Sequence, residues 1–162
     1  MSKNKFTACL WFDGRAEEAM KFYTSVFRNS KSFGVTYYGK NSPGPEGTVM
    51  TASFTLFGQD FLALNGGPIF QFTPAISLMV NCEDQAEVDH YWEKLAEGGE
   101  HQACGWLKDR FGVSWQIVPR AMGEMMTSAT PEQSARVMGA MMQMKKIDIA
   151  SLKRAFDGVQ AA

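Results

Sequence analysis

Residues 48–64 read TVMTASFTLFGQDFLAL, and the reading of this stretch decides the fold. Ala52, Phe54 and Leu56 alternate with Thr51, Ser53 and Thr55, so a strand over Thr48–Phe57 presents one apolar face and one hydroxyl-bearing face. Gly58-Gln59 turns the chain, and Asp60–Leu64 returns beside it as a hairpin partner. Upstream, Ala16, Ala19, Met20, Tyr23 and Phe27 recur at helical spacing, which predicts an amphipathic helix over Arg15–Val26. A short strand, Phe6–Phe12, precedes that helix and is broken by Asp13-Gly14. Ser32–Tyr38 reads as a second strand, followed by a Pro- and Gly-rich loop, Gly39–Gly47. The turn Asn65-Gly66-Gly67-Pro68 ends this half of the chain. It could offer backbone amides to an anion, but it lacks the strand–Gly–helix setting of a phosphate loop.

The same order of elements then recurs. Ala75–Val80 reads as a strand, and Asp84–Ala96 as a helix capped by Asp84 and stopped at Gly98-Gly99. His101–Leu107 reads as a strand, Phe111-Gly112 as a turn, and Ser114–Val118 as the closing strand before Pro119. FGQDFLAL at 57–64 resembles FGVSWQIV at 111–118, and Ala16–Tyr23 resembles Gln85–Trp92. The two matches fall in the same order in each half, which points to an internal repeat. Beyond it, Thr130 caps a helix with Pro131 at its first position, and Ile147–Phe156 forms another. Met138, Met141, Met142 and Met144 read as material for a core or a dimer contact rather than as a ligand box.

Composition bounds the function. The chain has 162 residues, a formal net charge of -1 and a pI near 6.1, with Lys and Arg scattered among Asp and Glu. A nucleic-acid partner is therefore not expected. Cys9, Cys82 and Cys104 show no zinc-type spacing and are expected as reduced thiols. The polar opening Met1–Lys5 and the lack of a long apolar run predict a cytoplasmic protein with no membrane partner.

Three segments in order, CLWFDGRAEEAMKFYTSVF (9–27), FTLFGQDFLALNGGP (54–68) and CGWLKDRFGVSWQIVPR (104–120), resemble the PhnB-like branch of the glyoxalase/bleomycin resistance/dioxygenase superfamily, also called vicinal oxygen chelate. That branch often carries the label 3-demethylubiquinone-9 3-methyltransferase. The resemblance covers residues 6–120, and the methionine-rich tail ending in KIDIASLKRAF is similar to an appendage of the same branch. It implies an α+β fold of paired β-α-β-β-β modules, at about 6–67 and 75–119, whose sheets form a curved cup. The domain is expected over 1–122, with a helical C-terminal appendage over 123–162. It also implies a homodimer.

Enzymes of this superfamily hold a divalent metal in the cup through His, Glu or Gln at four strand positions. Carried onto this chain, those positions fall near Ala8, Thr51, Ser77 and Gln116. A one-residue slip substitutes Cys9, Met50, Ala52, Leu78 or Trp115, and no His/Glu set results. Zinc takes imidazole, thiolate or carboxylate, and hard cations take charged or carbonyl oxygen. No resident cofactor or tightly held metal is therefore expected, with weak divalent binding left open. The expected pocket is a small polar set on an apolar wall, drawn from Thr51, Ser53, Ser77, Met79, Cys104, Trp106 and Gln116. A solvated sheet face is the alternative use of the same residues. The functional expectation is metal-free binding of a small molecule. The alternative is an enzyme using the same cup, as a metal-dependent lyase or dioxygenase type or as the methyltransferase of the label. Against methyl transfer stands the junction Asp13-Gly14-Arg15, which is not a Gly-rich loop after a parallel strand. Asp109 is expected to set a turn, Trp115 to point into the core, and the two histidines, His90 and His101, to lack a catalytic partner.

Overall fold

The computed structural model describes residues 4–159, so Met1–Lys3 of the polar opening lie outside it. The chain divides into two compact units between Phe72 and Thr73.

The first unit runs β1 (Thr7–Phe12), α1 (Ala16–Val26), β2 (Ser30–Tyr37), β3 (Val49–Leu56) and β4 (Gln59–Asn65). Its strands lie in the order β1-β4-β3-β2, with β1 parallel to β4 and the other pairs antiparallel. The alternation of residues 48–64 is realised as read. Ala52, Phe54, Leu56, Phe61 and Ala63 are buried with Ala16, Ala19, Met20 and Tyr23 of α1. Phe54 stacks on Phe61 at 5.3 Å between ring centres, and the Tyr23 ring lies 5.9 Å from Phe54. The hairpin turn puts Phe57 at φ 48° and Gly58 at φ 78°. Two left-handed residues are what a two-residue loop needs to follow the strand twist. In β2 the register slips between Ser32 and Gly34, a bulge that leaves Phe33 exposed on the edge strand.

The second unit repeats the plan with β5 (Ser77–Cys82), α2 (Gln85–Leu95), β6 (Glu100–His101), β7 (Trp106–Lys108) and β8 (Ser114–Pro119), in the order β5-β8-β7-β6. Again the first strand pairs in parallel with the last. Asp84 caps α2 by accepting from the Glu87 amide at 2.9 Å. Asp109 sets the following turn. Its Oδ1 accepts from the amides of Phe111 (2.8 Å) and Val113 (3.0 Å), and its Oδ2 from the indole of buried Trp115 (2.8 Å).

Two expectations need correction, and one helix has no counterpart in the sequence reading. The strand expected at Ala75–Val80 begins only at Ser77, because Thr73–Ile76 forms a turn closed by Ile76 N–H to Thr73 O. The strand expected over His101–Leu107 is a hairpin. Cys104 at φ 58° and Gly105 at φ 79° fold the chain back, with Gln102 N–H donating to Trp106 O at 2.8 Å. Finally, β8 runs directly into α3 (Arg120–Ser128), a helix with no side-chain cap and no sequence signal at its start.

α4 (Pro131–Met141) and α5 (Ile149–Asp157) begin at caps. Thr130 and Gln133 form a reciprocal capping box, and Asp148 accepts from the Ser151 amide at 2.7 Å. Val137, Ile147 and Leu152 make a small core, against which Met122, Met125, Met126, Met141 and Met144 pack. The segment between α4 and α5 is held to the second module at both sides. Cys104 and Gly105 donate their amides to Met144 O and Lys145 O at 2.8 and 2.7 Å. Gln85 of α2 brackets it by donating to Ile147 O (3.1 Å) and accepting from Ile149 N (2.9 Å).

Candidate functional site

Each sheet has one face covered by its helix and a second face that is partly exposed. In the second unit, Ile117, Trp115 and Leu107 point to the covered face. By the period of two, Ser77, Met79, Trp106 and Gln116 share the other. Register places Met79 and Trp106 on either side of Gln116, and Gln116 Nε2 donates to Ser77 Oγ at 2.8 Å. Four of the seven expected pocket residues are thus neighbours on one face. Met79 is half exposed there.

Cys104 is apart from this group. It sits in the β6–β7 turn, where its Sγ lies 3.7 Å from Met142 Sδ. His101 is likewise engaged elsewhere, stacked on Trp92 at 4.4 Å. In the first unit, Thr51 and Ser53 lie on the open face of β3, and Thr51 Oγ1 shares a 2.6 Å hydrogen bond with Thr36 Oγ1. Thr36, a partner not foreseen in the sequence, is brought there by the β2–β3 register. Ser53 also lines a cavity of about 290 Å³ with Phe33, Leu62, Asp60, Thr7 and Asn4.

The metal-ligand alignment shifts by one residue at its first position. Ala8 pairs with Phe61 and shares the core side with Leu10 and Phe12, so Cys9 takes the open face. The first unit then offers a thiol and a hydroxyl at these positions, and the second a hydroxyl and an amide. Ser77 Oγ accepts from Gln116 Nε2 and Thr51 Oγ1 pairs with Thr36 Oγ1, so these positions present only neutral oxygens. Among the described residues no three His, Cys, Asp or Glu side chains gather as a metal site. Neither unit's pair fits a catalytic divalent cation, since neither supplies a carboxylate or an imidazole.

Thiol environments differ enough to test. Burial pushes the Cys82 thiol up to about 12, helped by the carboxylates of Glu87, Asp84 and Glu83. Cys82 is fully buried, whereas Cys9 is exposed and Cys104 partly so. Native protein treated with an aromatic disulfide at pH 8 is expected to react at Cys9 first and at Cys104 more slowly. Cys82 should react only after denaturant is added. Mass mapping that finds Cys82 modified in the native state would contradict this packing.

A second concavity, of about 730 Å³, lies within the first unit between the start of α1, the β2–β3 loop and the turn at Asn65–Gly67. Asn65 builds it. The buried side chain accepts from the Ala16 amide (2.8 Å) and donates to Val49 O (3.0 Å), while its own carbonyl accepts from Tyr38 Oη. Trp11 Nε1 donates to Gly67 O at 2.8 Å, and its ring lies against Gly66, where a Cβ would come within 2.1 Å of it. The sequence marks this segment only as a turn.

Residues 4–118 match the family model described as 3-demethylubiquinone-9 3-methyltransferase. Among solved structures, a PhnB protein from Bacillus cereus is 44% identical, over 72% of this chain and 99% of that one, with a TM-score of 0.65. A protein from Pseudomonas aeruginosa is 23% identical over 72% of this chain and 98% of its own, with a TM-score of 0.61. The fosfomycin resistance protein FosX from Listeria monocytogenes, in a complex with Mn(II) and sulfate, is 16% identical over 72% of this chain and 92% of its own, with a TM-score of 0.53. At that identity the likeness is one of fold. No curated protein matches the chain.

Proposed function

Because this chain belongs to the PhnB-like family of the vicinal oxygen chelate superfamily, we propose that it binds a small, partly polar organic molecule on an open sheet face, without a catalytic metal. One observation carries this reading. Ser77 and Gln116 form a hydrogen-bonded pair on the open face of β5 and β8, flanked by Met79 and Trp106. A hydroxyl and an amide at fixed separation can orient a ligand, while the thioether and indole supply apolar contact. We assign this function to a domain over residues 1–122, with 123–162 as an appendage, and the family likeness supports a homodimer. No helix among the described residues is long and apolar enough to cross a membrane.

The test is a metabolite screen by thermal shift on metal-free protein, with S-adenosylmethionine and Mn(II) as separate arms. A hit should raise the melting temperature with no metal present. Ser77→Ala should move the melting temperature by under about 2 °C, since the hydroxyl is on an open face, yet weaken the hit about tenfold, as expected for losing one oriented hydrogen bond. Unchanged affinity in both Ser77→Ala and Gln116→Leu would remove this face from the site. Stabilisation only in the Mn(II) arm would favour a metalloenzyme, and stabilisation by S-adenosylmethionine would favour the methyl transfer named in the family description. Light scattering on the same protein reports the dimer.

A further inference from the structure

Cys104 and Gly105 are consecutive left-handed residues, at φ 58° and 79°. Glycine takes that conformation freely, whereas a cysteine resists it and stays there only where its surroundings hold it. The hold comes from the tail, since the two amides donate to Met144 O and Lys145 O at 2.8 and 2.7 Å. Gly105 is also confined. A Cβ there would come within 2.8 Å of Ile117 O and 3.0 Å of Ile147 Cγ1. The next residue is Trp106, which pairs with Gln116 on the face to which ligand binding is assigned above.

The segment that holds this turn is itself held to α2. The Gln85 side-chain amide uses both its hydrogens and its oxygen. Nε2 donates to Ile147 O (3.1 Å) and to Asp89 Oδ1 (3.2 Å), and Oε1 accepts from Ile149 N–H (2.9 Å). Lys146 pairs with Asp89 at 2.8 Å, and that ammonium, with Gln85, keeps the Asp89 carboxyl below its ordinary range. Ile147 anchors the same segment in the small core with Val137 and Leu152. A continuous chain of bonds therefore runs from Gln85 through residues 144–149 to the turn that starts β7.

We propose that residues 144–149 act as a latch, closed by Gln85, that sets the position of Trp106 on the ligand face. The inference rests on the assignment of ligand binding to that face, and it makes the C-terminal tail a control on the site. With the latch released, the Cys104-Gly105 turn relaxes and Trp106 loses its fixed place beside Gln116.

The experiment follows amide hydrogen exchange and indole resonances of the isotope-labelled full chain, with Trp106→Phe assigning the indole. Gln85→Leu keeps the bulk of the side chain and removes its three hydrogen bonds. The Cys104 and Gly105 amides should then exchange about tenfold faster. The Trp106 indole resonance should shift or broaden, while that of Trp115 and the protection of β5 and of the second half of α2 stay unchanged. Lys146→Ala removes an exposed pair and leaves the fold intact, and it should speed the same two amides about threefold. A ligand found on the Ser77 face should bind Gln85→Leu about fivefold more weakly. Unchanged exchange at Cys104 and Gly105 in both variants would overturn the latch, as would an unmoved Trp106 resonance when they speed up. A uniform rise in exchange across the second unit in Gln85→Leu, with no effect of Lys146→Ala, would also overturn it, leaving Gln85 a stability residue only. If exchange and indole respond as expected while Ser77→Ala and Gln116→Leu leave ligand affinity unchanged, the latch stands and the assignment of the face fails.

Discussion

Phe54→Asp is expected to abolish folding of the first unit. The side chain is 1% exposed and lies between Phe61 and Tyr23, in the seam where α1 covers β3 and β4. Truncating a buried phenylalanine alone costs about 3–5 kcal/mol. Placing a carboxylate in the same space adds either several kcal/mol of desolvation or an uptake of a proton at neutral pH. Together these approach or exceed the roughly 5–15 kcal/mol that holds a domain folded. Phe54→Leu is the control, expected to lower stability by about 1–2 kcal/mol because volume and polarity change little. Circular dichroism and urea unfolding distinguish the two. A cooperative, native-like transition for Phe54→Asp would mean that Phe54 does not face the core, and with it the parity of β3 would fall. Thr51 or Ser53 changed to Asp makes the reciprocal comparison. One residue of register separates them from the core, and both substitutions should leave the protein folded.

That prediction follows from the sequence alone, and so does most of the architecture. Alternation at 51–56 assigned the faces of β3, the Phe-Gly turns located both hairpins, and Asp84 and Thr130 marked helix starts that the structure places beside them. These signals are local, since each depends on residues within one turn or strand. The errors come from contacts between distant segments. α3 begins without a capping side chain and is held through Met122, Met125 and Met126 against Val137, Ile147 and Leu152. The β6–β7 turn puts a cysteine rather than Asn or Gly at φ 58°, a choice that turn chemistry does not advertise. It is held from outside by hydrogen bonds that the Cys104 and Gly105 amides donate to the carbonyls of Met144 and Lys145. The candidate site divides in the same way. Strand parity groups Ser77, Met79, Trp106 and Gln116, whereas Thr36 and the cleft around Asn65 depend on a bulge and on three separate segments meeting.

Asp109→Ala is expected to lower the stability of the second unit by about 3–6 kcal/mol. The carboxylate is 2% exposed and accepts three hydrogen bonds, two from backbone amides and one from the Trp115 indole. Removing it leaves three donors, two of them buried, without that acceptor, each at about 1–3 kcal/mol, with the lower end favoured where water enters the turn. The turn it organises also packs closely. A Cβ on Gly99 would come within 2.1 Å of Lys108 O and 2.9 Å of the Asp109 Cα, so the backbone there has little room to rearrange around the loss. Asp109→Asn separates the two kinds of bond. The amide oxygen can still accept from Phe111 and Val113, but its NH₂ then meets the Trp115 N–H, donor against donor. A loss of about 1–3 kcal/mol is expected for Asn, smaller than for Ala, with a shifted Trp115 indole proton resonance. If Asp109→Ala melts within about 1 kcal/mol of the native chain, Asp109 is not organising this turn. If Ala and Asn lose stability equally, the bond to Trp115 carries the effect and the two amide bonds add little.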